Sequence, residues 1–516
     1  MPTLELLIAV AATVLYVALT VLFALEAPAL WRDEVNSVNT QVIASWPEMW
    51  AKTQFESFPL LWMLILRGWM ALGGLSDAWV RLLGCLCSLT LPAALWFAAH
   101  RLGRTVPLVA LSLLAVNPQV IRWAGSARAW GLGAALAIVS LVLLKEATDT
   151  PTRRRIGFGI VGAVLSVQCT YQNAVLLAAA IAGCLTALAW ERRWRHAGVP
   201  IGIGVAAAIS LLPYWPVVAS RAEWNALAAA PVTLLYLGKQ FARSVAISGP
   251  VVTAAWAIVG LGALLALAVR VRAQALFLLA TTGASVAALL IFYRAFGYYP
   301  EPWYFLAVTV VVALGCELTS ASLQSAVTSI VRVVVAAGVL ATGGPVAWSA
   351  LKEPLTNMHI VGARLTSDAV AGDLIVIHPW EWSVSLSRYY AGDAAVMTVP
   401  PLTDMTVHRY DLVKAAMQHR DPLRPLLARI QATLQSGRTV WYSGNLENIP
   451  PGPPPRQPGP PPLPETGWRT GPYDSAWSQT IGAFVRDHAV TISAVHLDAR
   501  GGRLEDVALM TLSGWK

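Results

Sequence analysis

Two adjacent carboxylates lie just beyond the first long apolar run of the 516-residue chain, residues 4–25. They are Asp33 and Glu34, and Arg32 precedes them. A carboxylate at a membrane boundary is costly to keep dry, so it needs either solvent or a chemical task such as general-base catalysis. The structural alternative is an ordinary helix start, with acidic residues in the first turn and Arg32 as an interface anchor. Residue type alone does not decide between the two.

A second candidate is Arg128, at the end of the polar segment 117–128 and immediately before the apolar run 129–145. The guanidinium group presents a planar fork of donors that matches the oxygens of a phosphate better than an ammonium group does. By residue type, Arg128 is thus able to bind a phosphate. The structural alternative is an arginine that anchors a helix end at the membrane interface.

Polar and aromatic side chains also cluster in the segment 293–304, between two apolar runs. Arg294, Tyr298, Glu301 and Trp303 are candidates there for contacts with a substrate or its phosphate. An aromatic belt at the membrane interface explains the Tyr and Trp residues without any ligand.

The composition indicates a membrane protein. Hydrophobic residues make up 56% of the chain and charged residues 13%, with a mean hydropathy of +0.58, whereas soluble domains carry about 25% charged residues. Residues 1–349 hold 22 Lys and Arg against 13 Asp and Glu, and residues 350–516 hold 15 of each. We predict eleven spanning helices, at residues 4–25, 80–99, 105–121, 129–145, 156–172, 174–190, 198–219, 249–269, 273–292, 302–319 and 329–349.

The basic residues predict how these helices are oriented. With eleven spans, the clusters near Arg101, Arg153, Arg192, Arg270 and Arg332 fall on one side, as the positive-inside rule requires of a cytoplasmic face. The excess of basic charge is thus a membrane signal, and no nucleic acid is expected as a partner. The N-terminus is then cytoplasmic, and the protein is a multi-pass protein of the inner membrane.

The same topology decides the place of the candidate residues. The run 57–74 contains Arg67 and is interpreted as a helix along the interface, because a spanning helix there would turn every basic cluster outward. The outer face then receives the segments 26–79, 117–128, 220–248 and 293–301, together with the C-terminal tail.

The tail, residues 350–516, has the sequence pattern of a small α/β domain. The predicted topology places this domain outside the cytoplasm. Strands are predicted at 373–378, 439–442 and 490–495, and helices at 383–390, 422–435 and 477–488. The insert 450–464 contains ten prolines and is expected to be extended. The fold class is therefore mainly α, with a polytopic membrane part at 1–349 and an extracytoplasmic α/β domain at 350–516.

Four segments in order resemble one family. The segment 30–37 resembles the Asp-Glu motif in the first outer loop of GT-C glycosyltransferases, in particular the group of protein O-mannosyltransferases and aminoarabinose transferases. Segment 58–64 is similar to that group's His-Pro-Pro-Leu segment, 76–82 to the entry into the next span, and 117–130 to its Ser-Pro…Ser-Gln-Glu-Ala-Arg-x-Tyr element. The chain departs from the pattern at Phe58, where the family has His, and at Gly125-Ser126, where it has Gln-Glu.

The resemblance implies a reaction. A sugar linked to a polyprenyl phosphate would be transferred with inversion to an acceptor that is a glycan, a lipid or a protein. It implies Asp33 as the general base, with Glu34 beside it, and Arg128 as the group that stabilises the departing phosphate. Arg32, Arg294, Tyr298, Glu301 and Trp303 are further substrate-binding candidates.

Two other functions remain open on the sequence alone. A non-catalytic scaffold that binds lipid-linked sugars is compatible with the absence of a carboxylate before Arg128. A lipid or sugar transporter is the other alternative, although charges are rare inside the spanning runs. No metal site is predicted and no cofactor is required, although a divalent cation could bind at Asp33 and Glu34.

Overall fold

A computed structural model of the chain describes residues 2–221, 232–245, 249–269, 272–297, 299–444, 446, 452–453, 456–464, 467–498 and 501–516. The chain divides into two compact units. The helical unit comprises Met1–Glu26, Ser57–Val217 and Val232–Lys352. The α/β unit comprises Ala27–Glu56, Val218–Pro231 and Glu353–Lys516, so the segment that carries Asp33 belongs with the C-terminal tail.

The described residues form the following elements in chain order. The helices are α1 Pro2–Glu26, α2 Arg32–Val42, α3 Trp46–Lys52, α4 Leu60–Gly73, α5 Asp77–Ala98, α6 Leu108–Ala115, α7 Pro118–Ala124, α8 Trp130–Asp149, α9 Arg153–Cys169, α10 Gln172–Trp190, α11 Gly198–Leu211, α12 Trp215–Arg221, α13 Leu234–Val245, α14 Pro250–Val269, α15 Ala273–Phe296, α16 Leu306–Ala321, α17 Ala326–Leu351, α18 Met358–Asp368, α19 Trp382–Tyr389, α20 Tyr410–Gln418, α21 Arg424–Gln435 and α22 Gly471–His488. The strands are β1 Leu374–Ile377, β2 Ala395–Thr398, β3 Val440–Ser443, β4 Ala489–Val495 and β5 Leu509–Trp515. The prediction of a polytopic, mainly α protein with a small sheet is confirmed.

Nine helices in the described part of the chain are long and apolar enough to cross a membrane, against eleven predicted spans. The predicted run 105–121 is divided between α6 and α7, because the Asn117 side chain accepts hydrogen bonds from the amides of Gln119 and Val120 and starts a new helix. The run 156–172 lies on α9, which has 17 residues. The run 57–74 forms α4, whose 14 residues are fewer than the roughly 20 that a span needs.

Several long helices of the helical unit end close together on one side, which contains Arg101 and Arg332 and which we call the basic end. Arg101 at the end of α5 pairs with Glu146 of α8 at 2.5 Å. Arg332 of α17 pairs with Glu5 of α1 at 3.1 Å and with Glu317 of α16. Glu317 also accepts a hydrogen bond from the Ala110 amide of α6 at 2.9 Å. Basic residues that the sequence places in different loops thus lie together in space.

The α/β unit contains a five-stranded sheet with the order β2-β1-β3-β5-β4. Strands β2, β1 and β3 are parallel, and β5 is antiparallel to both β3 and β4. Alternate residues of β1 face opposite sides, because successive side chains of a strand point to opposite faces. Leu374 and Val376 pack with α20, α21 and α22, and Ile375 and Ile377 pack with α18 and α19.

Most elements predicted for the tail are confirmed. The predicted strands 373–378, 439–442 and 490–495 correspond to β1, β3 and β4, and the predicted helices correspond to α19, α21 and α22. The sequence analysis missed α18 and α20 and the strands β2 and β5. β2 has only four residues, three of them accessible to solvent at least in part, so its hydrophobic pattern is weak.

Candidate functional site

Helix α2 carries the Asp-Glu pair and is held at its start by Glu34. The Glu34 carboxylate accepts a hydrogen bond from the Trp31 amide at 3.2 Å, which is the backbone half of a capping box. Glu34 is fully buried. Further along α2, Ser37 donates to the Glu56 carboxylate at 2.7 Å. Glu34 therefore stabilises the start of α2. This also orients the neighbouring side chain, Asp33.

Asp33 lies between two cationic or ionisable groups of the same unit. Its Oδ1 atom is 3.8 Å from Nε of Arg32 and 3.9 Å from Nε2 of His408. The Asp33 side chain retains 19% of its exposure, whereas that of His408 retains 8%. The Tyr410 hydroxyl lies 3.4 Å from the other ring nitrogen of His408. Asp33 is thus accessible on one side and faces an imidazole on the other.

The sequence analysis did not name His408 as a site residue, although the chain contains only eight histidines. Its backbone amide donates to the Asn36 side chain at 2.9 Å, which ties the segment before α20 to α2. The contact joins positions 372 residues apart in sequence. No local sequence pattern around His408 predicts such a contact.

The pKa of Arg32 is set by nearby acids of the α/β unit. Burial by itself lowers the pKa of Arg32, but Glu381, Asp33 and Glu505 outweigh it and raise the pKa above its ordinary value. Arg32 therefore stays charged beside Asp33.

Glu505 is the most deeply buried of these acids, with no exposed surface. Both of its oxygens lie 2.9 Å from the Ser385 hydroxyl, which donates to the carboxylate. Burial raises the pKa of Glu505 to about 7, although Arg32 acts in the opposite direction. This acid was not predicted, because it belongs to the chain between β4 and β5, where no motif was recognised.

A second group of side chains lies where the parallel strand β1 ends. His378 follows β1, and burial lowers its pKa to about 4, so that it is neutral at pH 7. Its ring stacks on Tyr442 of β3 with centroids 6.3 Å apart. Burial and the nearby Glu381 raise the pKa of Asp474 to about 7. The sequence analysis named the candidate substrate residues elsewhere, and this edge holds none of them.

In the helical unit, Arg128 is buried, with 3% of its surface exposed. Its guanidinium carbon lies 4.7 Å from the ring centroid of Phe58, which is a cation–π contact. Phe58 also packs edge-on against Trp130 at 4.9 Å. Two of the four segments that carry the family resemblance, 58–64 and 117–130, are thus in contact.

Two further arginines of these segments are buried, and the prediction overlooked both. Arg81 of α5 and Arg122 of α7 each expose 1% of their surface. Arg81 lies over the ring of Phe23 at 5.2 Å, and Arg122 donates to the Ala350 carbonyl at 2.6 Å. Their occurrence inside or beside apolar runs was a usable signal, since buried arginines are rare.

The turn at Gly125-Ser126, where the sequence departs from the pattern it resembles, packs closely on α5. A Cβ atom at Gly84 of α5 would lie 2.4 Å from the Gly125 carbonyl oxygen and 2.6 Å from that of Ser126. The turn before Arg128 therefore packs directly on the backbone of α5. The Ser126 hydroxyl donates to the Trp123 carbonyl at 2.7 Å and is used within this turn.

The segment 293–304 packs on the same end of the helical unit as the turn before Arg128. Trp303 packs against Trp123 with ring centroids 4.2 Å apart and the ring planes tilted by 36°, and Tyr304 packs against Trp130 at 5.1 Å. Trp303 is therefore near the predicted phosphate site.

The other candidates of this segment differ in their surroundings. Arg294, in the last turn of α15, is exposed. Glu301 is half-buried and precedes the short 3₁₀ helix Pro302–Phe305. Tyr298 lies outside the described residues. Tyr299 stacks on Tyr236 of α13 at 4.0 Å, so the aromatic residues here also serve to hold α13.

No group of three or more His, Cys, Asp or Glu side chains that could hold a metal ion occurs in the part of the chain that the structure describes. Of the adjacent carboxylates Asp33 and Glu34, the second accepts a hydrogen bond from the Trp31 amide.

Comparison with solved structures identifies the fold. ArnT from Cupriavidus metallidurans bound to undecaprenyl phosphate matches with a TM-score of 0.52 and 12% sequence identity, over 96% of this chain and 97% of that chain. The oligosaccharyltransferase of Archaeoglobus fulgidus in the apo form matches with a TM-score of 0.50 and 11% identity, over 86% of this chain and 70% of that chain. No protein-family model and no curated protein matches the sequence.

Both solved structures are GT-C glycosyltransferases, so the resemblance seen in the four segments is confirmed at the level of the fold. The match to ArnT extends over nearly the full length of both chains and includes the tail. Sequence identities of 11–12% support a shared fold but do not establish a shared activity.

Proposed function

We propose that this protein is an integral membrane glycosyltransferase that moves a sugar from a polyprenyl-phosphate donor to an acceptor. The observation that carries the proposal is the shared fold with ArnT, whose structure contains undecaprenyl phosphate, together with an accessible carboxylate, Asp33, beside Arg32 and His408. The acceptor is a glycan, a lipid or a protein. The lipid bilayer and the lipid-linked sugar are the expected partners.

Asp33 is the general base of the proposed reaction. The acceptor hydroxyl or amine transfers its proton to the Asp33 carboxylate while its lone pair attacks the anomeric carbon. The bond from that carbon to the phosphate oxygen breaks on the opposite side, so the configuration inverts. Arg32 lies beside Asp33, and Glu34 supports the base indirectly by starting helix α2.

Arg128 stabilises the leaving group. The polyprenyl phosphate departs with the bonding electrons and gains negative charge, which a buried guanidinium can stabilise strongly because little water competes for it. The burial of Arg128 and its position over Phe58 support this role. Trp303 is proposed to line the donor site, with Arg294, Glu301 and Tyr298 as outer contacts.

The proposed orientation follows from the basic end. Basic residues at short loops favour the cytoplasmic side, so the basic end faces the cytoplasm and the Arg128 end faces outward. Helix α17 begins near Arg332 at the basic end and leaves the membrane at the other end, so the tail that follows is extracytoplasmic. The N-terminus is cytoplasmic, and the membrane is the plasma membrane.

A transfer assay with purified protein in nanodiscs tests the proposal. It offers a panel of polyprenyl-phosphate sugars together with a membrane extract as acceptor, and it measures the free polyprenyl phosphate released. The wild type should release it, and Asp33→Asn should reduce the rate at least a thousandfold while donor binding is retained. Glu48→Gln, an exposed carboxylate on the neighbouring helix α3, is the matched control and should behave as wild type.

The outcomes separate the alternatives. Turnover by Asp33→Asn at the wild-type rate would refute the assignment of the base. Donor binding without turnover in the wild type would favour the non-catalytic scaffold, and the absence of binding to every donor would favour transport.

A further inference from the structure

The basic end of the helical unit contains a cavity of about 350 Å³. It lies between the π-helical segment Ala99–Gly103 that extends α5, the start of α15 and the end of α16. Its polar lining consists of Arg101, Arg104, Arg272, Gln274, Ser322 and Gln324. All of these elements belong to the helical unit, and the cavity is unrelated to Asp33 or Arg128.

The charge in this cavity is positive and only partly compensated. Arg101 is paired with Glu146, which does not line the cavity. Arg104 and Arg272 form no ion pair with any residue that the structure describes, and the described lining contains no carboxylate. Two guanidinium groups thus line one cavity whose described lining contains no carboxylate, which favours an anion as its occupant.

The local backbone also favours an anion in this cavity. Arg272 is the N-cap of α15 and provides no side-chain hydrogen bond to it, so the first amides of the helix lack an acceptor of the usual kind. The Gln274 side chain donates to the Leu102 carbonyl and ties α15 to the π-helical segment. Arg104 has a left-handed backbone conformation, with φ of 50°. The guanidinium groups and a helix start therefore surround the same space.

The apolar part of the lining indicates what kind of anion fits. Leu278 and Leu318 line the cavity beside the arginines, and both belong to helices long and apolar enough to cross a membrane. A ligand with a phosphate and an adjoining hydrocarbon chain satisfies both parts of the lining. Basic pockets between spanning helices are known to take such headgroups.

We propose that this cavity binds the phosphate of an anionic glycerophospholipid, with Arg104 and Arg272 as the principal ligands and the acyl chains along Leu278 and Leu318. The proposal is independent of the glycosyltransferase function. A soluble phosphate ester has only the phosphate group in common with such a lipid, so an experiment can distinguish the two ligands.

The test uses the full-length protein, delipidated in a neutral detergent, and measures thermal unfolding together with bound lipid by native mass spectrometry. Phosphatidylglycerol or cardiolipin should raise the melting temperature by several degrees in a saturable way and remain bound in the spectrum. Phosphatidylethanolamine should do neither. The double variant Arg104→Gln/Arg272→Gln should lose both effects and unfold as the wild type does in the absence of lipid.

The matched control is Arg153→Gln/Arg154→Gln, which removes two exposed arginines from the first turn of α9. It should keep the full response to anionic lipid. An equal response in the cavity variant and the wild type would overturn the proposal. Stabilisation by glycerol 3-phosphate of the same size as by phosphatidylglycerol would also overturn it, because the occupant would then be a soluble anion.

Discussion

The guanidinium carbon of Arg128 lies 4.7 Å from the centroid of the Phe58 ring. Phe58 is fully buried and also contacts Trp62 and Trp130. A cation–π contact of this kind positions the guanidinium group without changing its formal charge. Phe58 therefore positions the group that is proposed to bind the donor phosphate.

Replacing Phe58 by Leu should weaken donor binding. Loss of a cation–π contact costs about 0.5–2 kcal/mol, so the KM for the donor should rise by about 2- to 30-fold with a smaller change in kcat. Steady-state kinetics with varied donor measures this. Phe277→Leu is the matched control, since Phe277 is equally buried and faces Lys145 at the basic end. An equal rise of KM in both variants would contradict the specific role of Phe58.

Arg128→Lys retains the charge and removes the planar fork. We expect kcat to fall by about 10- to 100-fold, because a charge-assisted hydrogen bond contributes about 1.5–3 kcal/mol. Rates of polyprenyl phosphate release measure the effect. Arg153→Lys, an exposed change at the start of α9, should leave kcat unchanged. Wild-type kcat in Arg128→Lys would show that the fork is not needed.

His408→Gln should lower kcat and leave KM little changed. The Nε2 atom of His408 lies 3.9 Å from the Asp33 carboxylate, and the backbone amide of His408 donates to the Asn36 side chain of α2, so the imidazole positions the proposed base. Steady-state kinetics with varied acceptor measure both constants.

The control for His408 is His419→Gln, an exposed histidine in the same unit. Its kcat should match that of the wild type. A wild-type kcat in His408→Gln would show that the imidazole does not position Asp33.

Asp474→Asn should change the pH dependence of stability. The pKa of Asp474 is raised from 3.8 to about 7 in the folded protein, so the folded state binds a proton more tightly than the unfolded state. Stability from this group is therefore present below about pH 4 and is lost as pH rises to 7. The variant should melt a few degrees higher than the wild type at pH 8 and nearly equally at pH 4.

Thermal unfolding across this pH range checks the expectation. Asp487→Asn, at the exposed end of the same helix α22, is the control and should leave the pH dependence unchanged. A wild-type slope in Asp474→Asn would show that the carboxyl group titrates normally.

The membrane architecture could be predicted from local patterns. An apolar run of about 20 residues must form a helix in a bilayer, because every backbone amide and carbonyl needs a partner there. Nine of the predicted runs correspond to such helices in the described part of the chain. Strands β1 and β3 were equally evident, because their buried apolar residues stand between turn signals.

The surroundings of the candidate residues could not be predicted in the same way. Arg128 could be singled out because an arginine beside an apolar run is unusual, but its partner Phe58 is 70 positions away. Asp33 was found by its motif, while His408 and the other groups around it come from the tail.

By itself, the sequence determined the helical character of the protein, the segregation of its basic loops and the residue types able to do chemistry. These depend on hydropathy and charge, which act over one or two helical turns. Only the tertiary structure decided that residues 27–56 pack with the C-terminal tail, that His408 lies beside Asp33 and that Glu505 lies near Arg32. The last two contacts join positions more than 350 residues apart and arise from the packing of whole elements, so no short pattern encodes them.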